Sequence, residues 1–287
     1  AVISVVAVVF SGCGGGGGVA RLEALEIFPE DFTCRIGDRI DMTAEGTYAN
    51  GVRRIVTQQV SWEPSADAVG TVNANGQFTA VAAGEVGLSA SLQDIESNTV
   101  TVQVNDAPVL PTRDYMPLAI NNQWTYTGFE VIADGVRTSQ AQTTLELLIS
   151  RQVVRDGHAW YELLVRGSEP GTPPSEQLLR HDPAGLMQYD SYAGMAFRML
   201  DASLQEGATW THPTDPDRTF EIVATDEHVD VPAGSYDNCV HVVGTDAYFS
   251  PPNIVRAWYK DGVGVVLERQ FEGTTLINEQ ELTSFEP

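Results

Sequence analysis

The sequence predicts an all-β chain, an antiparallel β-sandwich followed by a curled antiparallel sheet. Three observations lead there. Short apolar stretches alternate with period 2, as strands with one buried face do. Gly, Asn, Asp and Pro punctuate them at hairpin-like intervals. A Pro-bearing segment, Asn105-Asp106-Ala107-Pro108-Val109-Leu110-Pro111-Thr112-Arg113, divides the strands into two sets. At 287 residues the chain is long enough for two domains. The expected division is 1–12, 13–20, 21–105, 106–113 and 114–287, with the prolines holding the join extended.

In the first set, Leu22, Leu25, Ile27 and Phe28 start a strand that Pro29 ends. Phe32-Thr33-Cys34-Arg35-Ile36 and Ile40-Asp41-Met42-Thr43-Ala44 alternate on either side of Gly37-Asp38. Asn50-Gly51 and Asn75-Gly76 are strong hairpin signals, since glycine enters the left-handed region freely. Val60-Ser61-Trp62 offers a large ring to fill the space between two sheets. Val86 to Leu92 and Thr99 to Val104 complete seven or eight strands.

In the second set, Trp124 and Tyr126 alternate after Asn121-Asn122, and Thr143 to Val154 is a long strand turned by Asp156-Gly157. Strands follow at His158–Arg166, Gln177–His181, Leu186–Tyr189, Phe220–Val231, Tyr236–Val243, Ala257–Tyr259, Gly264–Phe271 and Thr274–Phe285. Hairpin connections predict an up-and-down sheet, and about nine long twisted strands tend to curl. A short helix is allowed near Met195 to Leu204, though Gly194 and Gly207 bound it tightly.

The N-terminal residues carry an address. Ala1 to Phe10 is apolar except for Ser4, and Ser11-Gly12-Cys13 and five glycines follow. The run is short of the ~20 residues that a spanning helix needs and suits the h-region of a secretory signal. Phe10-Ser11-Gly12-Cys13 resembles the lipobox of bacterial lipoproteins, with Phe10 departing from the usual leucine. Ala1 brings no Met and no basic n-region, so the chain is expected to start inside the signal. The resemblance implies cleavage before Cys13, lipidation of Cys13 and membrane attachment through that lipid. Gly14, rather than an aspartate, implies the outer membrane, facing the periplasm or the surface. Gly14 to Gly18 then form a leash of under ~20 Å. The competing reading of the same residues is a buried strand ending in a glycine turn.

Two further resemblances concern the β units. Ile36-Gly37-Asp38, Val60-Ser61-Trp62-Glu63-Pro64-Ser65, the run Val69 to Ala80 and Ala83-Gly84-Glu85-Val86-Gly87-Leu88-Ser89-Ala90 resemble a bacterial Ig-like domain of the second group. This implies an Ig-like β-sandwich acting as a spacer or a non-catalytic binding surface. Tyr115-Met116-Pro117-Leu118, Asn121 to Tyr126, Glu206-Gly207-Ala208-Thr209-Trp210, Val231 to Cys239 and Trp258 to Val266 look like a domain of uncharacterised bacterial lipoproteins. That resemblance implies a half-barrel sheet and brings no catalytic residues.

Composition narrows the function. The net charge is -23, with 16 basic and 39 acidic residues, so no basic stripe is present to track phosphates. Nucleic acid is not an expected partner; a protein, glycan or lipid ligand is. Cys34 and Cys239 each sit in an apolar alternation and are expected to be buried free thiols. His158, His181, His212, His228 and His241 show no zinc-ligand spacing, and no CxxC occurs. Gly14–Gly18 lacks the Lys-Ser/Thr of a phosphate loop, and no G-x-S-x-G elbow is present. Asp215, Asp217, Asp226, Glu227 and Asp230 read as a solvated acidic face, with weak calcium binding the competing reading. No cofactor, metal or catalytic residue is expected, and the chain is not read as an enzyme.

The candidate ligand residues are aromatic. Trp124, Tyr126, Trp160, Trp210 and Trp258, with Tyr161 and Tyr259 beside them, either line a concave face or pack as core. The expected function is a lipid-anchored, non-catalytic envelope protein whose Ig-like spacer presents a β-rich binding or structural head. The alternative is a carrier or binder of a lipid or other apolar ligand in the head.

Overall fold

A computed structural model describes residues 21–106, 114–132, 136–137, 143–168 and 171–287. Cys13, the glycine leash and nearly all of the predicted linker lie outside these residues. The described chain has strands and no helix.

The first unit contains β1 (Leu22–Phe28), β2 (Phe32–Arg35), β3 (Arg39–Asp41), β4 (Thr43–Tyr48), β5 (Arg53–Ile55), β6 (Ser61–Pro64), β7 (Gly70–Val72), β8 (Gln77–Ala80), β9 (Gly84–Leu92), β10 (Ile95–Glu96) and β11 (Val100–Asn105). One sheet runs β6-β9-β11-β2, with β2 parallel to β11. The opposite side is made by β1-β4-β5 and β3-β8-β7. Period-2 burial carries the packing: Val100, Val102 and Val104 face inward from β11, and Val86, Leu88 and Ala90 from β9. Gly51 and Gly76 have positive φ at the two Asn-Gly turns.

The ring at the centre of this core is Phe78, fully buried and edge-on to Phe32 at 6.1 Å. Trp62 is only half-buried, with Nε1 donating to the Thr57 carbonyl at 3.3 Å. The indole closes the side of the core, and the smaller ring fills its middle.

The second unit contains β12 (Gln123–Ile132), β13 (Val136–Arg137), β14 (Thr143–Arg155), β15 (His158–Arg166), β16 (Ser175–Asp182), β17 (Gly185–Asp190), β18 (Met195–Asp201), β19 (Thr209–His212), β20 (Asp215–Val231), β21 (Gly234–Asp246), β22 (Asn253–Lys260), β23 (Gly264–Glu272) and β24 (Thr275–Glu286). Antiparallel ladders order the large sheet β18-β17-β16-β15-β14-β12-β24-β23-β22-β21-β20-β19. No ladder joins β18 to β19, so the curled sheet stops short of a closed barrel. Side chains bridge the seam: Trp210 Nε1 donates to the Arg198 carbonyl at 2.8 Å, and Phe197 lies 4.6 Å from the His212 ring. The stretch near Met195–Leu204, where a short helix is allowed, forms strand β18. Its Met195, Phe197 and Met199 recur with period 2, and Phe197 is buried on the inner side of the curl.

The two units share a built joint. The β14–β15 turn docks on the free edge of β2, and Thr33 N donates to the Gly157 carbonyl at 2.6 Å. Thr33 Oγ1 lies 2.6 Å from His158 Nδ1. Arg39 N donates to Gln152 Oε1 at 2.6 Å, and Gln152 Nε2 donates to Asp38 Oδ1 at 2.7 Å. Val154 and Ala159 pack against the first core.

Cys34 and Cys239 are buried free thiols. Burial pushes the Cys34 thiol up to about 12 and the Cys239 thiol up to about 11, which leaves both unreactive at neutral pH.

Candidate ligand cleft

The curl leaves space inside. A cleft of about 480 Å³ lies between β20–β23 on one wall and β17–β18 on the other. Apolar groups come from Phe197 and Met199 on one side and from Phe220, Val242, Val255, Ala257, Tyr259 and Phe271 on the other. Walls far apart in sheet order share one hollow only because the sheet curls. The volume falls in the roughly 300–1,000 Å³ range of small-molecule sites.

One end of the curl is closed by the segment 114–122. Asp114 N donates to Asp261 Oδ1 at 2.6 Å, and Gly262 N donates to the Asp114 carbonyl at 2.7 Å. On the far side, His181 Nε2 meets the Met116 carbonyl at 2.8 Å. Tyr115, Met116 and Leu118 are thereby buried in one cluster with Trp124 and Tyr126.

The other end is open. Its rim carries Tyr192 in the β17–β18 turn and Tyr248 and Phe249 in the β21–β22 turn, all exposed. Gly273 N donates to the Pro252 carbonyl at 2.8 Å, and Ala247 N to the Asp217 carbonyl at 2.9 Å, tying the rim turns together.

Polar side chains make up much of the lining, among them Gln188, Arg218, Asp246, Asn253, Glu268 and Gln270. Glu268 faces Tyr126 and Tyr259 and accepts a hydrogen bond from Gln270 Nε2 at 3.0 Å. The residue is half-buried and keeps solvent contact through the cleft. Burial pushes its carboxyl above the usual carboxylate range, and the Gln270 bond only partly offsets this. Arg218 and Asp246 are cross-strand partners nearer the mouth.

The aromatic candidates divide by position. Trp124 is fully buried, stacked on Phe285 at 5.2 Å, with Nε1 donating to the Val263 carbonyl at 2.5 Å. Tyr126 OH donates to the Val265 carbonyl at 2.9 Å. Trp160 is buried under Arg180, whose Cζ lies 4.4 Å from the ring centroid. Trp258 stacks on His241 at 4.2 Å and donates to Glu227 Oε2 at 2.5 Å. Trp210 stacks on the cleft residue Phe220 at 5.5 Å. The aromatic part of the cleft lining is thus Phe197, Phe220, Tyr259 and Phe271. Glu268 and Gln270 had a sequence signal: two polar side chains at alternate positions of one strand.

The histidines have local partners. His228 Nδ1 meets Asp237 Oδ1 at 2.6 Å, and His241 Nδ1 meets Glu227 Oε1 at 3.1 Å. Burial raises the Glu227 carboxyl, but hydrogen bonds from Trp258 and His241 outweigh it and hold the group below its usual range. Among the described residues no group of three or more His, Cys, Asp and Glu side chains is placed to hold a metal ion.

Comparison with known proteins places the first unit. Residues 23–104 match the family model of the bacterial Ig-like domain (group 2), and this unit is such a domain. Ice-binding protein 1 of Shewanella frigidimarina is 28% identical over 116 residues, which is 37% of this chain and 13% of that protein. Among solved structures, a protein described as exported, with a YmcC-like fold, from Bacteroides fragilis is 14% identical with a TM-score of 0.38. It is covered over 100% of its length by 61% of this chain. A protein described as a lipoprotein from Parabacteroides distasonis is 12% identical with a TM-score of 0.35, over 99% of its length and 61% of this chain.

Proposed function

We propose that this is a lipid-anchored, non-catalytic envelope protein. Its Ig-like unit holds a ligand-binding β head away from the membrane. The observation that carries the reading is the open cleft in the curled sheet, with a closed floor, an aromatic wall and an exposed aromatic rim. The docked β14–β15 turn supports the spacer role, since it lets the Ig-like unit position the head without relying on the join. A binding role also agrees with the name of the ice-binding relative.

Uptake of a neutral apolar dye by the full chain tests the cleft. Its fluorescence should rise on binding and fall on addition of a long-chain alcohol. Gly244→Leu should abolish uptake with far-UV circular dichroism unchanged. A Cβ at Gly244 would stand 3.2 Å from the Phe220 ring, so the larger side chain pushes that ring across the hollow. Dye uptake that is absent in the native chain, or unaffected by Gly244→Leu, overturns the reading.

The anchor has a separate test. Cys13→Ala should move the protein from the membrane to the soluble fraction, because a lipidated cysteine contributes about 0.8 kcal/mol per buried CH₂. Unmodified Cys13 in the membrane-bound native protein, seen by mass spectrometry, would exclude lipidation.

A further inference from the structure

The cleft contains a charge problem that an apolar ligand alone would worsen. Glu268 sits on its inner wall, and among the described residues no Lys, Arg or His stands opposite it; its described partner is Gln270. In register, Glu268 faces Ala257 on β22 and Gln280 on β24. The nearby titratable groups are the Tyr126 and Tyr259 phenols, both pushed up by burial. Arg218 and Asp246 lie two rungs toward the mouth as cross-strand partners, and the Arg218 guanidinium lies over the Phe220 ring, its Cζ 5.8 Å from the centroid.

We propose that the cleft takes a cationic amphiphile, with its apolar body against Phe197, Phe220 and Phe271 and its ammonium group on the Glu268 carboxylate. This rests on the cleft reading above and names the ligand class for it. Three physical points converge. A buried carboxylate is costly when unpaired and favourable when a cation meets it in a dry site. The Tyr259 ring on the same wall offers a π face to that cation. The net charge of -23 raises the local concentration of cations around the protein and repels anionic amphiphiles.

The proton follows from the same chemistry. In the empty cleft burial favours the protonated Glu268 carboxyl. Seating a quaternary ammonium ion favours the carboxylate, and the displaced proton leaves to solvent. Affinity therefore rises with pH through the free-state pKa of Glu268 and then levels off. A quaternary probe has no proton of its own, so the pH dependence reports the protein.

Isothermal titration of the full chain with decyltrimethylammonium, 1-decanol and decyl sulfate separates the possibilities. The cation should bind at least about ten-fold tighter than the alcohol, and the sulfate weakest of the three. The preference should widen from acidic to mildly alkaline pH. Glu268→Gln should abolish the preference while leaving decanol binding in place. If Glu268→Gln does not fold, titration of the native chain in buffers of different ionisation enthalpy decides, since proton release accompanies the cation alone. Equal binding of all three probes overturns the cationic preference and leaves the cleft reading intact; binding of none overturns both.

Discussion

Trp124→Ala lowers the stability of the second unit by about 3–5 kcal/mol, the range for deleting a fully buried indole. The ring has no exposed surface and is stacked on Phe285, which its strand partner β24 supplies. Its Nε1–H satisfies the Val263 carbonyl at the β22–β23 turn. Gly264 packs so closely that a Cβ there would stand 3.2 Å from the indole nitrogen. Alanine thus leaves a cavity and an unpaired carbonyl in a site with little room to collapse. Hydrogen exchange of the β12 and β24 amides measures the loss without mixing in the unfolding of the Ig-like unit. Trp210→Ala is the contrast. That ring is half-buried at the seam, so its loss should cost about 1–2 kcal/mol and act mainly through Phe220. A Trp124→Ala protein with native protection at β12 would make the indole dispensable to the fold.

The contrast shows what the sequence could say about these rings. Period 2 places Trp124 and Tyr126 on one face, and a face of that kind must be covered by something. Whether a ligand or the chain covers it depends on where Tyr115, Met116 and Leu118 go. Hydrogen bonds between positions more than a hundred residues apart, such as Asp114 to Asp261, decide that. The Ig-like unit was more legible, because its turns are local. Asn50-Gly51 and Asn75-Gly76 mark their own backbone, and Val100, Val102 and Val104 declare their face. Trp62 misled because size suggests a central ring, whereas depth is set by the strand's place in its sheet. β6 is an edge strand of its sheet, and β8, which carries Phe78, is the middle strand of its own. At Met195–Leu204 a short helix was allowed and the bounding glycines limited it, while the alternation of Met195, Phe197 and Met199 already favoured a strand. The joint had no local signal, since Asp38 and Gln152 lie 114 positions apart.

Gln152→Ala should free the head from the Ig-like unit. Gln152 is buried and reaches across from the head to the Ig-like unit, accepting from Arg39 N and donating to Asp38. Alanine leaves the Arg39 amide and the buried Asp38 carboxyl without those partners, at about 1–3 kcal/mol for the buried carboxyl. Opening the joint lets water reach both groups, so the cost appears as undocking before it appears as unfolding. Two unfolding transitions in place of one coupled transition, and a broadened distance between fluorophores on the two units, are the expected readings. The pH dependence gives the sign. Burial raises the Asp38 carboxyl above 3.8, against opposing hydrogen bonds from Gln152 and Arg35 N. Between that value and the raised one, the docked state holds more proton than the undocked state. Docking therefore strengthens as pH falls through this window and is independent of Asp38 above it. Gln152→Glu sharpens the effect by placing a second carboxyl against Asp38. That variant should be undocked at neutral pH and should dock again in acid, where one proton shared between the two carboxyls removes the repulsion. A Gln152→Glu protein docked equally at neutral and acid pH would show that the Thr33–Gly157 contact and the packing of Val154 and Ala159 hold the joint by themselves.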